Sequence, residues 1–147
     1  MITKLKIANF KSHEKTILNL GNLTLLTGLN STGKSSIIQS FLLLRQSFKK
    51  GRLNKGLDLN EPLCDIGKGV DALYRFANIN EIITFEIEID KNENFSFNFN
   101  AKDKYDETFI PNLKEIPIDD NIFKLPFFTN NFQYLSANRI ASVEFYP

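Results

Sequence analysis

One octapeptide, GLNSTGKS at positions 28–35, constrains the fold of this 147-residue chain more than any other feature. Four residues separate Gly28 from Gly33, and Lys34 and Ser35 follow directly. Glycine adopts backbone dihedrals that other residues resist, so such a segment can wrap closely around a ligand. Amide N–H groups that point into a loop of this kind form a nest for an anion. The octapeptide therefore predicts an anion-binding loop between a strand and a helix.

The residues on either side of the octapeptide have the patterns that this setting requires. Residues 23–27 form a short apolar and β-branched run, which is typical of a buried strand. After the loop, apolar residues recur with the spacing of one helix face, and Lys49, Lys50 and Gly51 supply the signals for the end of a helix. The apolar residues of this predicted helix are Ile37, Phe41, Leu44 and Phe48, widened by Ile38, Leu42 and Leu43.

We interpret residues 28–35 as a P-loop that binds the phosphates of ATP together with Mg²⁺. The helix directs its positive end at the phosphates, Lys34 supplies a cation for them, and the Ser35 hydroxyl is a ligand for Mg²⁺. The alternative, a plain glycine-rich turn with an exposed lysine, is disfavoured by the strand–loop–helix setting. The candidate binding residues are Gly28, Leu29, Asn30, Ser31, Thr32, Gly33, Lys34, Ser35 and Ser36.

Alternation of apolar and polar residues predicts strands elsewhere in the chain. A half-exposed strand is expected over residues 2–8, a short strand over 17–20, and an antiparallel hairpin over 82–90 and 95–100. Residues 51–68 read as a loop with a short strand, 69–77 as a short helix, 101–126 as a long excursion, and 132–136 as a last strand.

Residues 2–48 resemble the N-terminal part of ABC-type AAA ATPases of the RecF, SMC and OLD-nuclease group. The resemblance is carried by IANFKSH at 7–13, by residues 23–36 and by FLLLRQ at 41–46, and more weakly by 65–74 and 134–140. It implies an α/β P-loop NTPase fold, in which residues 1–147 form an N-terminal lobe with an antiparallel β hairpin beside the P-loop strand and helix.

The same resemblance implies that the backbone near residues 11–13 lies beside the adenine and ribose. Lys11, Ser12 and His13 are therefore candidates for contacts to the base edge. We favour an exposed turn histidine for His13, because a lone histidine is weak evidence of function, and we expect this turn to tolerate side-chain changes. Arg139 is either a cation near the site or a surface ion-pair residue.

Hydrolysis of ATP needs carboxylates that hold Mg²⁺ and orient water. Glu86, Glu88 and Asp90 alternate with apolar residues, which indicates one solvated face and not the doubly buried strand of a Walker B segment. By resemblance, the Walker B and signature segments would follow Pro147. We therefore expect an incomplete lobe that binds ATP without hydrolysing it.

Charge and composition leave the following alternatives open. Residues 1–56 carry ten Lys or Arg and one acidic residue, a net charge of +9, whereas residues 57–147 carry a net charge of −8. A basic N-terminal part suits a polyanion, so a nucleic-acid-binding module with a vestigial P-loop, stacking bases on Phe95, Phe97 and Phe99, is a second hypothesis. A third is an interaction subunit that completes its site with a separate C-terminal lobe.

The expected partners and location follow from the same reasoning. They are ATP, DNA, and either a second copy of the chain or a separate C-terminal ATPase lobe, in a protein of DNA repair or phage defence. No apolar run approaches a membrane span, the N-terminus does not resemble a signal peptide, and the chain has a single cysteine. These features fit the cytoplasm.

Overall fold

A computed structural model describes residues 1–78, 80, 82–90, 93–102, 106–114, 123–125 and 127–135. Among these residues, no helix is long and apolar enough to cross a membrane. The elements, in chain order, are strands β1 (Ile2–Phe10) and β2 (His13–Asn19), helix α1 (Lys34–Lys49), strand β3 (Gly56–Asp58), helix α2 (Gly69–Ala72), and strands β4 (Ile82–Ile89), β5 (Glu93–Asn100) and β6 (Phe109–Pro111).

The strands form two antiparallel sheets, which gives a mixed α/β architecture. The larger sheet has the order β2-β1-β4-β5, and the smaller one pairs β3 with β6. The predicted hairpin is confirmed as β4 and β5, joined in continuous register from Ile82 opposite Asn100 to Ile89 opposite Glu93. The turn between β1 and β2 is tighter than predicted, since β2 begins at His13 and only Lys11 and Ser12 connect the two strands.

The two faces of the larger sheet have opposite character, as the alternation predicted. Leu5 and Ile7 of β1 are fully buried with Phe85 of β4, and the Phe85 ring packs edge to face on Phe10 at 5.0 Å between centroids. On the other face, Lys4 pairs with Glu88 at 2.6 Å and Lys6 with Glu86 at 2.5 Å, while the N-terminal amine pairs with Asp90. The three acidic residues therefore belong to an ion-paired outer face of the sheet.

Helix α1 has the predicted length and packs its apolar side into the core beside β3 and β1. Leu43 and Leu44 are fully buried, whereas Ile38 is 42% exposed. The helix also buries a cation that the apolar pattern did not reveal. Arg45 is 3% exposed, donates hydrogen bonds to the carbonyl oxygens of residues 127 and 129, and lies 4.6 Å above the ring of Phe132.

Gln46 on α1 joins the helix to the loop that follows β3. Its side chain is fully buried, donates to the carbonyl oxygen of Asp58 at 2.7 Å, and accepts hydrogen bonds from the backbone N–H groups of Leu63 and Cys64 at 3.2 and 3.0 Å. This residue therefore stabilises the course of a loop with little regular structure of its own.

We expect Gln46→Leu to lower the free energy of unfolding by about 2–4 kcal/mol, because leucine of similar size leaves three backbone groups without their partner. Urea denaturation followed by circular dichroism measures the change. Gln39→Leu is the control, since Gln39 lies on the same helix and its side chain has no hydrogen-bond partner among the described residues. Equal losses in the two variants would contradict this role for Gln46.

Two predicted strands are wrong. Residues 23–27 run without strand pairing in the described part of the chain, and Leu23 and Leu25 are 91% and 81% exposed. An apolar run becomes a buried strand only where neighbouring strands pair with it, and both described sheets exclude this segment. Residues 132–135 are likewise irregular, and Ser136, the last residue of that predicted strand, lies outside the described residues.

Candidate functional site

The loop before α1 follows an unpaired segment and not the predicted strand, but it has the backbone conformation that its glycines predicted. The φ angles are 143° at Gly28 and 92° at Gly33, and Ser31 also has a positive φ of 67°. Gly33 is the residue directly before the helix. A Cβ atom there would lie 2.5 Å from Ser12 Oγ and 2.6 Å from His13 Nε2. Position 33 therefore requires glycine both for its dihedral angles and for the close approach of the β1–β2 turn.

The N-terminus of α1 lies beside exposed residues of the loop. No side chain caps it by a hydrogen bond, and its first turn carries no acidic residue. The first N–H groups of a helix have no partner within the helix, and together with the helix dipole they attract anions. The loop and the helix start thus bring the N–H groups of one short segment together, which is a setting that favours an anion.

Lys34 lies beside these N–H groups and bends back over the loop. Its ammonium group donates to the carbonyl oxygen of Gly28 at 2.8 Å and to that of Leu29. Thr32 supports the same turn, since its hydroxyl donates to the Leu29 carbonyl at 2.9 Å. The lysine is therefore held at the loop, in reach of any anion that the loop binds.

These elements line a cleft of about 510 Å³. Most of the predicted site residues contribute to it, while Gly28, Leu29, Thr32 and His13 are not among its lining residues. The predicted residues that line it are Lys11, Ser12, Asn30, Ser31, Gly33, Lys34, Ser35 and Ser36. The sequence therefore identified one wall of the cleft and the turn beside it.

The opposite wall was not predicted. It consists of residues 70–75, from which Val70, Asp71, Leu73 and Arg75 line the cleft. Two backbone hydrogen bonds fix this wall to the β1–β2 turn, one from Lys11 N–H to the Ala72 carbonyl at 2.8 Å and one from Tyr74 N–H to the Asn9 carbonyl at 3.0 Å. The weak resemblance over residues 65–74 was the signal that could have located it.

The expectation that His13 is an exposed turn histidine is wrong. Its side chain is 7% exposed, because it begins β2 and folds under the end of the loop. Nε2 lies 3.0 Å from the carbonyl oxygen of Gly33, and Nδ1 lies 2.8 Å from the hydroxyl of Thr16. His13 therefore contacts the backbone of the loop and does not line the cleft.

With this geometry established, a comparison with known families identifies the chain. The sequence model of the AAA ATPase domain matches residues 1–145. The chain belongs to the AAA ATPase domain family. This membership supports a nucleotide-binding ATPase function in general terms. No curated protein and no solved structure matches the sequence.

Within the described residues of this AAA ATPase domain, Asp71 is the acidic residue on the cleft wall. Its carboxylate accepts a hydrogen bond from the backbone N–H of Lys68 at 2.9 Å, so it stabilises the start of α2. Glu86 and Glu88 are held by lysines on the outer face of the sheet. No cluster of three His, Cys, Asp or Glu side chains that could hold a metal ion occurs among the described residues.

The thiol of Cys64 lies close enough to the turn for Lys11 to influence it. Burial raises its pKa to about 11, while the positive charge of Lys11 lowers the pKa and the negative charge of Asp65 raises it. At neutral pH the group is therefore a neutral thiol, which is a poor nucleophile.

The AAA ATPase domain gives little support to a nucleic-acid surface on the same residues. Four cations of the basic N-terminal part are already paired with carboxylates: Lys4 and Lys6 with Glu88 and Glu86, and Lys50 and Arg52 with Asp58. Phe97 and Phe99, which the second hypothesis would use for stacking, are 1% and 0% exposed. Arg139 lies outside the described residues, so its predicted role stays a prediction.

Proposed function

We propose that this chain binds ATP with Mg²⁺ through residues 28–36. One observation carries the proposal: a loop with positive φ at Gly28 and Gly33 leads into an uncapped helix, with the ammonium group of Lys34 beside it. N–H groups in such a nest, a helix dipole and a flexible cation all favour a polyphosphate. The cleft volume of about 510 Å³ falls within the range of small-molecule sites.

In this proposal, different residues of the cleft contact different parts of the ligand. N–H groups of the loop and of the first helical turn face the phosphates. The ammonium group of Lys34 can exchange its carbonyl partners for a phosphate oxygen and so adds a positive charge. Ser35 is exposed on the cleft wall and offers one hydroxyl oxygen to Mg²⁺. This donor set fits Mg²⁺, which takes oxygen ligands and is often held by a few protein groups together with substrate phosphates and water. Val70 and Leu73 make the opposite wall partly apolar, as a nucleoside requires.

We further propose that the chain is the N-terminal lobe of an ATPase of the RecF, SMC and OLD-nuclease group, with a role in DNA repair or phage defence. The support is the resemblance over residues 2–48 and the position of the NFKS turn, from which Lys11 and Ser12 line the cleft. A strain that lacks the gene should be more sensitive to DNA damage or to phage infection. Unchanged survival under both challenges would count against this role.

Binding is tested by titrating purified residues 1–147 with a fluorescent ATP analogue and displacing it with unlabelled ligands. We expect ATP to bind with Mg²⁺ at least tenfold more tightly than with EDTA, and both ATP and ADP to displace the analogue far better than adenosine does. Equal affinities for ATP and adenosine would show that the loop does not hold phosphate.

Turnover of ATP should stay near background. Phosphoryl transfer depends on positioning and on charge stabilisation, and the one described carboxylate that lines the cleft with Ser35, that of Asp71, accepts the N–H of Lys68 at the start of α2. Steady-state phosphate release measures this, with Lys34→Ala as the control for contaminating ATPases. Turnover near 1 s⁻¹, at the low end of typical enzymes, that is lost in Lys34→Ala would require a catalytic acid in this chain.

A further inference from the structure

His13 is a buried polar residue that has no role in the proposed function. It stands opposite Phe10 at the start of the β1–β2 pairing, and its ring lies directly under the last residue of the loop. The missing side chain of Gly33 makes room for it, since a Cβ atom there would come within 2.6 Å of Nε2 and 2.9 Å of Cε1. The ring and the glycine backbone therefore fit together.

Hydrogen-bond chemistry fixes which nitrogen carries the proton. A carbonyl oxygen only accepts, so Nε2 must donate to the Gly33 carbonyl across their 3.0 Å separation. Nδ1 is then free to accept the hydroxyl hydrogen of Thr16 at 2.8 Å. Thr16 lies three residues further along β2 and so holds the ring in this orientation from the strand itself.

The Gly33 carbonyl is held from two sides. Besides His13 Nε2, it accepts the N–H of Ile37 at 3.2 Å, which is the first hydrogen bond of α1. Its two lone pairs can satisfy both donors. Glycine peptides rotate more easily than others because no side chain restricts them. Two donors on one carbonyl therefore stabilise a peptide orientation that glycine alone would not maintain.

The orientation of this carbonyl decides where the next N–H group points. In a trans peptide the C=O and the following N–H point in opposite directions. The Gly33 carbonyl points along α1 towards Ile37, so the N–H of Lys34 points out of the helix start, towards the cleft that Lys34 and Ser35 line. A group that holds the Gly33 carbonyl in place therefore also fixes the direction of the Lys34 N–H.

We propose that His13 is a positioning residue for polyphosphate binding: its imidazole holds the Gly33–Lys34 peptide so that the Lys34 N–H faces the phosphates. The inference rests on the proposed nucleotide binding and deepens it, and it replaces the expectation from the sequence that the turn tolerates a side-chain change at His13. It assigns His13 to the phosphate end of the ligand, whereas a contact to the base edge would assign it to the nucleoside.

Two ligands separate these assignments, ATP and inorganic tripolyphosphate, which has no base. We expect His13→Phe, which keeps a ring but has no donor, to weaken both ligands by the same factor of about tenfold, equivalent to about 1.4 kcal/mol. His13→Gln places an amide donor near the position of Nε2 and should restore most of the affinity for both. If His13 had only a structural role, affinity would not depend on whether the replacement side chain carries a hydrogen-bond donor.

The outcomes distinguish the inference from the proposed function. Loss of ATP affinity with unchanged tripolyphosphate affinity would overturn the inference and indicate a base contact. Unchanged affinity for both ligands would overturn it while the proposed function stands. A wild-type chain that binds neither ligand would overturn both.

NMR of the wild-type protein supplies a measurement that does not depend on variants that fold. The chain contains one histidine, so its ring nitrogen signals belong to His13, and only Nδ1 and Nε2 have to be distinguished. We expect a proton on Nε2, where the ring donates to the Gly33 carbonyl, and we expect tripolyphosphate to shift the Nε2 resonance. A ring protonated on Nδ1 alone, or an Nε2 signal that saturating tripolyphosphate leaves unchanged, would overturn the proposal.

Discussion

Gly33→Val should abolish ATP binding while the chain still folds. The φ angle of 92° at this position is strained for any residue with a side chain, and a valine Cβ would meet Ser12 Oγ at 2.5 Å and His13 Nε2 at 2.6 Å. The β1–β2 turn and the loop would have to separate, and the Lys34 N–H would lose its orientation. Titration with a fluorescent ATP analogue measures the loss, which we expect to exceed a hundredfold.

Gly51 provides a matched control that has the backbone strain of a positive φ without the steric clash. It also has a positive φ, 64°, but a Cβ atom there has no neighbour within 4 Å, and it lies beyond the opposite end of α1. Gly51→Val should therefore lower the melting temperature without changing ATP affinity. If both valine variants lost ATP binding equally, the effect would come from general destabilisation and not from the loop.

Lys34→Ala should weaken ATP binding at least tenfold, or about 1.4 kcal/mol. The substitution removes the cation that the loop holds beside the helix start, and it also removes the hydrogen bonds from Nζ to the Gly28 and Leu29 carbonyls. Because dissolved salt screens the attraction between an exposed cation and a phosphate, the loss of ATP affinity should shrink as ionic strength rises. Isothermal titration at two salt concentrations measures both effects.

Lys49→Ala is the control for charge. Lys49 lies in the last turn of the same helix, so its removal changes the net charge by the same amount at the opposite end. Its ATP affinity should equal that of the wild type. A similar loss in the two variants would mean that Lys34 contributes only to the overall field of the protein, and equal binding by Lys34→Ala and wild type would contradict the P-loop assignment.

The local sequence pattern was sufficient to predict two kinds of element: those that pair with a neighbour close in sequence and those with a strong period. The hairpin of β4 and β5 followed from alternation, and α1 followed from a helical period with termination signals at Lys49 and Gly51. The alternation also placed Glu86 and Glu88 on the outer face. In each case, the face that a side chain occupies depends on the strand or helix geometry itself.

The wrong predictions share one cause, which is dependence on residues far away in the sequence. An apolar run such as 23–27 has the same pattern whether or not other strands pair with it. His13 is polar and follows a turn, yet its burial depends on the glycine at position 33. The second wall of the cleft is fixed to the β1–β2 turn by backbone hydrogen bonds, which no side-chain pattern records.

The contacts of Lys34 with the loop carbonyls have a consequence for which ligands can be recognised. Without a ligand, the ammonium group is already satisfied by the Gly28 and Leu29 carbonyl oxygens. An incoming anion must therefore displace internal hydrogen bonds, and the measured affinity is the difference between the two sets of contacts. A single phosphate would offer Lys34 little beyond what it replaces, whereas a chain of phosphates would also reach the N–H groups at the start of α1. If the proposed function holds, we therefore expect the loop to bind free phosphate weakly and nucleoside polyphosphates more tightly.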